Sequence, residues 1–192
     1  MASIYNFHDE LTAITAEDMA TGDLTILFDT SAQIPKKVLM SDFAAYVRTF
    51  GGGVVNTTAS ALTITAPLHS GKIVTISSST PIVVTLPATA GTGNRYRLQF
   101  QVVATATVST IKVANATDIM QGMVQVYSTV TATLTAFRAT ATSDTMTFNG
   151  STLGGVVGDW YEFIDVKTGF WQVNGLTAPT GSEVTPFGTT VS

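Results

Sequence analysis

The sequence predicts an all-β protein: an antiparallel β-sandwich or jelly-roll-like fold, with an extended N-terminal arm and an irregular C-terminal tail. Two observations support this fold class. About ten short β-prone segments follow one another at intervals of roughly 8–12 residues, with almost no helical pattern between them. About a sixth of the chain is threonine, a β-branched residue that favours strands because its hydroxyl can face water while its methyl group packs.

The segment 95–102 is the clearest strand. Its even-numbered residues are apolar and its odd-numbered residues are arginine or glutamine, which is the period of two expected of a strand with one buried face. The apolar face must meet a second sheet, and the opposite face, with Arg95 and Arg97, is either solvated or an interface. The other predicted strands of this region are 60–66, 72–76, 82–86, 108–113, 123–127, 132–137, 145–148, 160–166 and 170–173.

Composition divides the chain into four parts. Residues 1–50 are predicted to form an arm with a helical turn at 15–22, a short strand at 23–29 and a short helix at 41–50. The three glycines at 51–53 impose no backbone preference and predict a hinge. The β-sandwich then occupies 54–175, and 176–192 is an extended tail rich in Thr, Gly, Pro and Ser.

The arm and the tail have too few apolar residues to form cores of their own. We therefore expect the arm to contact another chain, and the tail either to lie along a neighbour or to be disordered. This arrangement predicts a homotrimer. The residues expected at interfaces are Leu24, Ile26 and Phe28 of the arm strand, Phe43, Tyr46 and Phe50 of the arm helix, Arg95 and Arg97 of the sandwich, and Phe187 of the tail.

Charge is scarce and unevenly distributed. Charged residues make up 11% of the chain, the net charge is −4, and no basic run is present, so we expect no nucleic-acid partner. Seven of the thirteen acids lie in the first 42 residues, and none lies between Asp42 and Asp118. There is no cysteine, no secretory signal is recognisable, and no apolar run reaches the roughly 18 residues of a membrane span, so we expect no membrane partner.

Residues for catalysis are few. Histidines at 8 and 69 are the available bases and fit surface polar residues, and the segment 150–154 has threonine where a nucleophile elbow needs serine. No metal-ligand spacing or phosphate-binding glycine motif is present, so we expect no catalytic, cofactor or metal residues and no enzymatic activity.

The acids of the segment 159–165 are the remaining catalytic candidates. Asp159, Glu162 and Asp165 could in principle serve glycoside cleavage, but their spacing fits solvent-facing charges better. The aromatic residues Trp160, Tyr161 and Trp171 could bind carbohydrate if exposed, although such rings are more often part of a sandwich core.

Several segments resemble a family of virion proteins. The segment 20–31 (ATGDLTILFDTS), with Lys36-Lys37 and a short helix after it, is similar to the N-terminal part of head-decoration and tail-fibre proteins of aquatic tailed bacteriophages. The segments 73–87, 94–97 (NRYR) and 146–151 (MTFNGS) resemble strands and turns of the same group. The resemblance implies a trimeric β-sandwich that either cements capsids or is attached to tails.

These observations together predict a structural protein on the virion surface that is assembled in the cytoplasm of the host bacterium. The favoured function is that of a capsid decoration, or cement, protein that bridges capsomers as a homotrimer and binds the major capsid protein or neighbouring virion proteins. A short tail fibre or adhesin subunit that binds a host receptor is the alternative, although 192 residues leave no room for a long shaft. A small polysaccharide-degrading spike is a third hypothesis.

Overall fold

The computed structural model describes the backbone of residues 24–29 and 34–39, and the complete residues 52–104 and 108–191. Contacts within the chain divide it into two units, Met1–Arg48 and Thr49–Ser192. The boundary lies just before the three glycines at 51–53, close to the predicted hinge.

The first unit contains a β-hairpin. Strand β1 (Leu24–Asp29) pairs antiparallel with β2 (Ile34–Leu39), with Phe28 opposite Pro35. The sequence predicted β1 but not β2, because a proline followed by two lysines is untypical of a strand. A strand with one unpaired edge tolerates proline, which lacks a backbone N–H. The predicted helical turn at 15–22 and the predicted helix at 41–50 lie outside the described residues.

The described residues of the second unit form short strands and one helical turn. In chain order these elements are β3 (Val54–Thr57), β4 (Ala61–Thr63), α1 (Ala66–His69), β5 (Ile73–Ile76), β6 (Val83–Thr85), β7 (Arg95–Phe100), β8 (Ser109–Lys112), β9 (Ile119–Tyr127), β10 (Leu134–Arg138), β11 (Thr145–Phe148), β12 (Trp160–Lys167), β13 (Phe170–Thr177) and β14 (Phe187–Gly188).

These strands form two mixed sheets. The seven-stranded sheet has the order β10-β9-β13-β12-β7-β5-β3, and the five-stranded sheet has the order β14-β11-β8-β6-β4. The predicted all-β fold class is confirmed. The pairing, however, is not antiparallel throughout, since β3, β5 and β7 run parallel in one sheet and β4, β6 and β8 run parallel in the other.

The parallel pairing follows from the path of the chain. From β3 to β8, successive strands alternate between the two sheets, so the chain crosses the core at each turn. The next strand to reach a given sheet then arrives in the same direction as the previous one. After β8 the pattern changes, and the hairpin of β12 and β13 pairs antiparallel with β7 on one side, while β13 pairs parallel with β9 on the other.

The core lies between the two sheets and is rich in aromatic rings. Phe148 of the five-stranded sheet packs 5.2 Å from Phe100 and 4.7 Å from Tyr161 of the seven-stranded sheet, measured between ring centroids. Tyr96 and Trp171 form an edge-to-face pair at 5.8 Å within the seven-stranded sheet. Each such ring buries a large apolar area, and aromatic pairs contribute about 0.5–1.5 kcal/mol beyond that burial.

Two segments differ from their interpretation in the sequence. His69 is not a surface residue: it is buried at the end of α1, where its Nδ1 lies 3.0 Å from the backbone N–H of Thr65. The tail is part of the second unit, since β14 pairs with β11 and Phe187 packs against the core. The end of the tail is held as well, because the Asp144 carboxylate accepts hydrogen bonds from the backbone N–H groups of Thr190 and Val191.

Gly122 in β9 provides a test of this packing. Its φ is +132°, and a Cβ at this position would collide with the carbonyl oxygen of Val173 in β13. We therefore expect Gly122→Ala to lower the free energy of unfolding by about 2–4 kcal/mol, because the left-handed backbone and the collision both oppose it. Gly188→Ala is the matched control, since a Cβ added at Gly188 would meet no atom within 4 Å. Equal unfolding midpoints of the two variants in urea would contradict this account of the β9–β13 contact.

Candidate functional site: the outer face of the seven-stranded sheet

The outer face is the side of the seven-stranded sheet that is turned away from the core. Strand β7 shows how the sequence creates it: Tyr96, Leu98 and Phe100 are buried, while Arg95 is exposed and Arg97 is half-buried. The predicted alternation of this strand is therefore confirmed. Because side chains alternate along every strand, the same parity in the neighbouring strands continues the outer face across the sheet.

The strand register places polar residues of neighbouring strands side by side on this face. Arg97 of β7 lies opposite Ile73 of β5 and opposite Glu162 of β12. Continuing across the sheet, Glu162 lies opposite Asn174 of β13, and Asn174 lies opposite Met123 of β9. This row combines charged, amide and apolar side chains, and it runs between two ends of the face that differ in chemistry.

One end is cationic. Lys72, Arg95 and Arg97 line a shallow depression together with Glu162, at the side of the sheet where β5 and β7 pair. The Arg97 guanidinium carbon lies 4.4 Å from the centre of the Trp160 ring, which is a cation–π contact. We call these residues (Lys72, Arg95, Arg97 and Glu162) the cationic end.

The other end is apolar. Met123 and Tyr127 of β9, Leu134 of β10 and Leu176 of β13 are exposed, Leu134 by 62% and Met123 by 51%. Leu134 and Tyr127 are directly opposite each other in the β9–β10 pair. We call these four residues the apolar end. Adjacent exposed apolar side chains on one face of a sheet are typical of a surface that another molecule covers.

The structure places the predicted interface residues in different regions. Arg95 and Arg97 lie together at the cationic end, whereas Phe187 anchors the tail against the core of its own unit. The sequence indicated the arginines through the alternation of β7, but the apolar end was missed. The side chains of Leu24, Ile26 and Phe28, and all of Phe43, Tyr46 and Phe50, lie outside the described residues.

The acids of β12 are not a solvent-facing group. Asp159 and Asp165 are 4% and 3% exposed, and only Glu162 lies on the outer face, so the sequence interpretation was wrong for the two aspartates. The prediction that Glu162 points to the opposite side of the strand from the two aspartates is correct. Of the aromatic residues considered for carbohydrate binding, Tyr161 and Trp171 are in the core, while Trp160 is half-buried on the outer face.

Asp165 organises the loop before β7. Its carboxylate accepts hydrogen bonds from the backbone N–H groups of Ala90, Gly91 and Thr92 at 2.8–3.2 Å, and from the Thr92 hydroxyl at 2.7 Å. Burial would raise the pKa of Asp165, but these hydrogen bonds stabilise the charged form and leave the pKa lowered. The carboxylate therefore acts as a fixed acceptor that holds this glycine-rich loop against the sheet.

Asp159 has a similar structural role, but its pKa is shifted in the opposite direction. Its carboxylate accepts hydrogen bonds from the backbone N–H groups of Gly155, Val156 and Ala178, and from the hydroxyl of Thr177. Burial outweighs these hydrogen bonds and raises the pKa of Asp159. The side chain joins the loop before β12 to the end of β13.

Asp118 completes this group of loop-holding aspartates. Its carboxylate accepts hydrogen bonds from the Thr89 N–H at 3.0 Å and the Thr89 hydroxyl at 2.7 Å, and Thr89 Oγ1 in turn accepts the N–H of Gly169 at 2.6 Å. The sequence did contain a signal for Asp159 and Asp165, because each is an even number of residues from Tyr161. Side chains at even spacing along a strand point to the same side, which here is the side of the core. No residue pattern indicated which loops they would hold.

The comparisons with known proteins add no identification. Neither a family model, nor a curated protein, nor a solved structure matches this chain. In the part of the chain that the structure describes, no three histidine, aspartate or glutamate side chains group in a way that could hold a metal ion. No helix of the described residues has the length and apolarity to cross a membrane.

The Asp165 contacts predict a pH-dependent contribution to stability. We expect Asp165→Ala to lower the free energy of unfolding by about 2–4 kcal/mol at neutral pH, because the loop N–H groups lose their acceptor. Since the folded-state pKa is lowered, this contribution is present above the unfolded-state pKa and is lost as the pH falls through the folded-state value. Urea unfolding of both proteins from pH 7 to pH 3 checks this.

The control for this variant is Val166→Ala on the same strand, which we expect to change the free energy of unfolding by less than about 0.5 kcal/mol, because Val166 is 50% exposed and uncharged. A difference between Asp165→Ala and the unsubstituted protein that stays constant down to about pH 3 would show that the charge of Asp165 is not what holds the loop.

Proposed function

We propose that this protein is a non-enzymatic structural subunit of a tailed-phage particle, which decorates the head as a homotrimer and stabilises the shell. The observation that supports this most is the outer face of the seven-stranded sheet. Its apolar end exposes Met123, Tyr127, Leu134 and Leu176, so a protein neighbour can cover this part of the face at little desolvation cost. Glu162 is the acid of β12 on this face, and the two aspartates near it are buried.

The interior supports a structural role in a second way. Asp118, Asp144, Asp159 and Asp165 each accept hydrogen bonds from loop groups, which ties the loops at the sheet ends to the body of the second unit. A carboxylate with several N–H donors is held in one position. The arrangement suits a rigid subunit that stabilises a particle through the surface area it buries against its neighbours.

A decoration protein stabilises its lattice by mass action. If it binds the assembled shell but not the free capsid protein, occupancy at about a hundred times the dissociation constant stabilises the bound state by about 2.7 kcal/mol per site. Trimeric presentation would raise the effective affinity above that of one contact. The alternative, a short tail fibre or adhesin, is favoured by Trp160, which lies opposite Gln99 and in contact with the Arg97 guanidinium group on the outer face.

The oligomeric state tests the role of the apolar end. We expect a trimer of about three times the 20.1 kDa chain mass in light scattering, with interfaces above roughly 2,000 Å². Introducing Met123→Lys and Leu134→Lys together should yield folded monomers, because both side chains are exposed in the single chain and would be buried by a neighbour.

Val184→Lys is the matched control, since Val184 is 51% exposed but lies in the tail, outside both sheets. We expect it to remain trimeric. A monodisperse, folded monomer of the unsubstituted protein at micromolar concentration would rule out the trimer, and a trimer that survives both lysines would exclude the apolar end from its interface.

Particles that lack the protein test the function itself. We expect them to assemble and to adsorb to host cells normally, but to lose infectivity at a lower temperature than complete particles, because the shell has lost a ligand specific to its assembled state. Infectivity after graded heating and the rate of adsorption are the two measurements. Adding purified protein to the deficient particles should restore heat resistance. Unchanged heat resistance with lost adsorption would contradict decoration and support the tail-fibre alternative.

A further inference from the structure

The cationic end has a charge that is opposite to that of the protein. The chain has nine Lys and Arg residues against thirteen acids, yet three of the nine line one depression with a single acid among them. These three are Lys72, Arg95 and Arg97, and the acid is Glu162. Like charges placed side by side repel each other, so such a cluster costs free energy unless an anion offsets it.

Arg97 shows the lack of a partner most directly. Its Nε is buried and has no hydrogen-bond partner among the described residues. The guanidinium carbon lies 4.4 Å from the centre of the Trp160 ring, a contact that favours its position on the outer face. A buried donor without an acceptor is uncommon in folded proteins. Because this Nε has almost no accessible surface, an anion in the depression would contact the rest of the Arg97 side chain, which lines it.

The nearby acids do not supply the missing counter-charge. Glu162 lies opposite Arg97 in the β7–β12 pair, but one carboxylate cannot balance three cations. Asp165, which follows Ile164 opposite Arg95, is buried and is occupied by the N–H groups of the loop it holds. The depression therefore retains a net positive charge.

We propose that the cationic end is a binding site for an oxyanion group, a carboxylate or a phosphate, borne by a ligand of the protein. Two guanidinium groups and one ammonium group are the side chains that bind such groups best, because guanidinium offers paired donors that match two oxygens. The depression is shallow and bordered by Gly71 and Ile73, so it suits one charged group at the end of a larger molecule. This site does not depend on the proposed virion role.

Titration of the full-length protein with three probes tests the proposal. We expect inorganic phosphate or glucuronate to shift the backbone amide resonances of residues 71–73 and 95–97 in a saturable manner, with an affinity that falls as sodium chloride is raised. Whichever of the two binds more tightly identifies the source as a phosphate or a carboxylate. Glucose, which has the sugar ring without the charge, should cause no such shifts.

Variants distinguish binding of the anion in this depression from a general attraction of anions to positive charge on the protein. Arg95→Gln and Lys72→Gln should each weaken binding by roughly two- to fivefold, and Glu162→Gln should strengthen it by a similar factor. Arg138→Gln is the matched control, because it removes the same charge from β10 at the other edge of the sheet and should change nothing. Thermal unfolding of each variant establishes that it is folded.

Two outcomes would overturn the proposal. One is the absence of saturable shifts with both anions at low salt. The other is an equal effect of Arg95→Gln and Arg138→Gln, which would mean that the anion responds to overall charge only. Neither outcome bears on heat resistance of particles, so the site and the proposed function can fail separately.

Discussion

The contact between Phe148 and the pair Phe100 and Tyr161 is the interaction on which the second unit depends. These rings come from different sheets and hold them together across one shared apolar layer. Because all inward-facing residues must fit this layer, the parity of every strand is constrained. The outward-facing residues are free of that constraint, and they are where a surface for partners can form.

Buried aspartates lie at the margins of this apolar layer. A chain with few charges still places four aspartates in buried positions at the ends of its strands, where loops leave backbone N–H groups without partners in the sheets. Each carboxylate accepts at least one of these hydrogen bonds, often with a threonine hydroxyl beside it, as Thr92 provides for Asp165 and Thr177 for Asp159. The high threonine content therefore contributes to loop anchoring as well as to strand formation.

The use of acids in the interior has a consequence for the surface. Asp159 and Asp165 are unavailable to neutralise Arg95 and Arg97, although they lie on or beside the neighbouring strand β12. The outer face therefore combines an unbalanced cationic end with an apolar end formed by β13, β9 and β10. A face with two distinct chemistries can engage two different contacts, so the proposed trimer interface and the proposed anion site occupy different parts of it.

The sequence by itself determined the all-β class, the alternation of β7 and the bounds of several strands, with β11 at 145–148 as predicted. Those features depend on local periodicity, which is visible in one strand at a time. The parallel path of β3 to β8, the burial of Asp159 and Asp165, and the docking of Phe187 on its own unit were decided only by the tertiary structure. They depend on which strands and loops become neighbours across the core, and a local pattern records which face of a strand is apolar without recording what covers it.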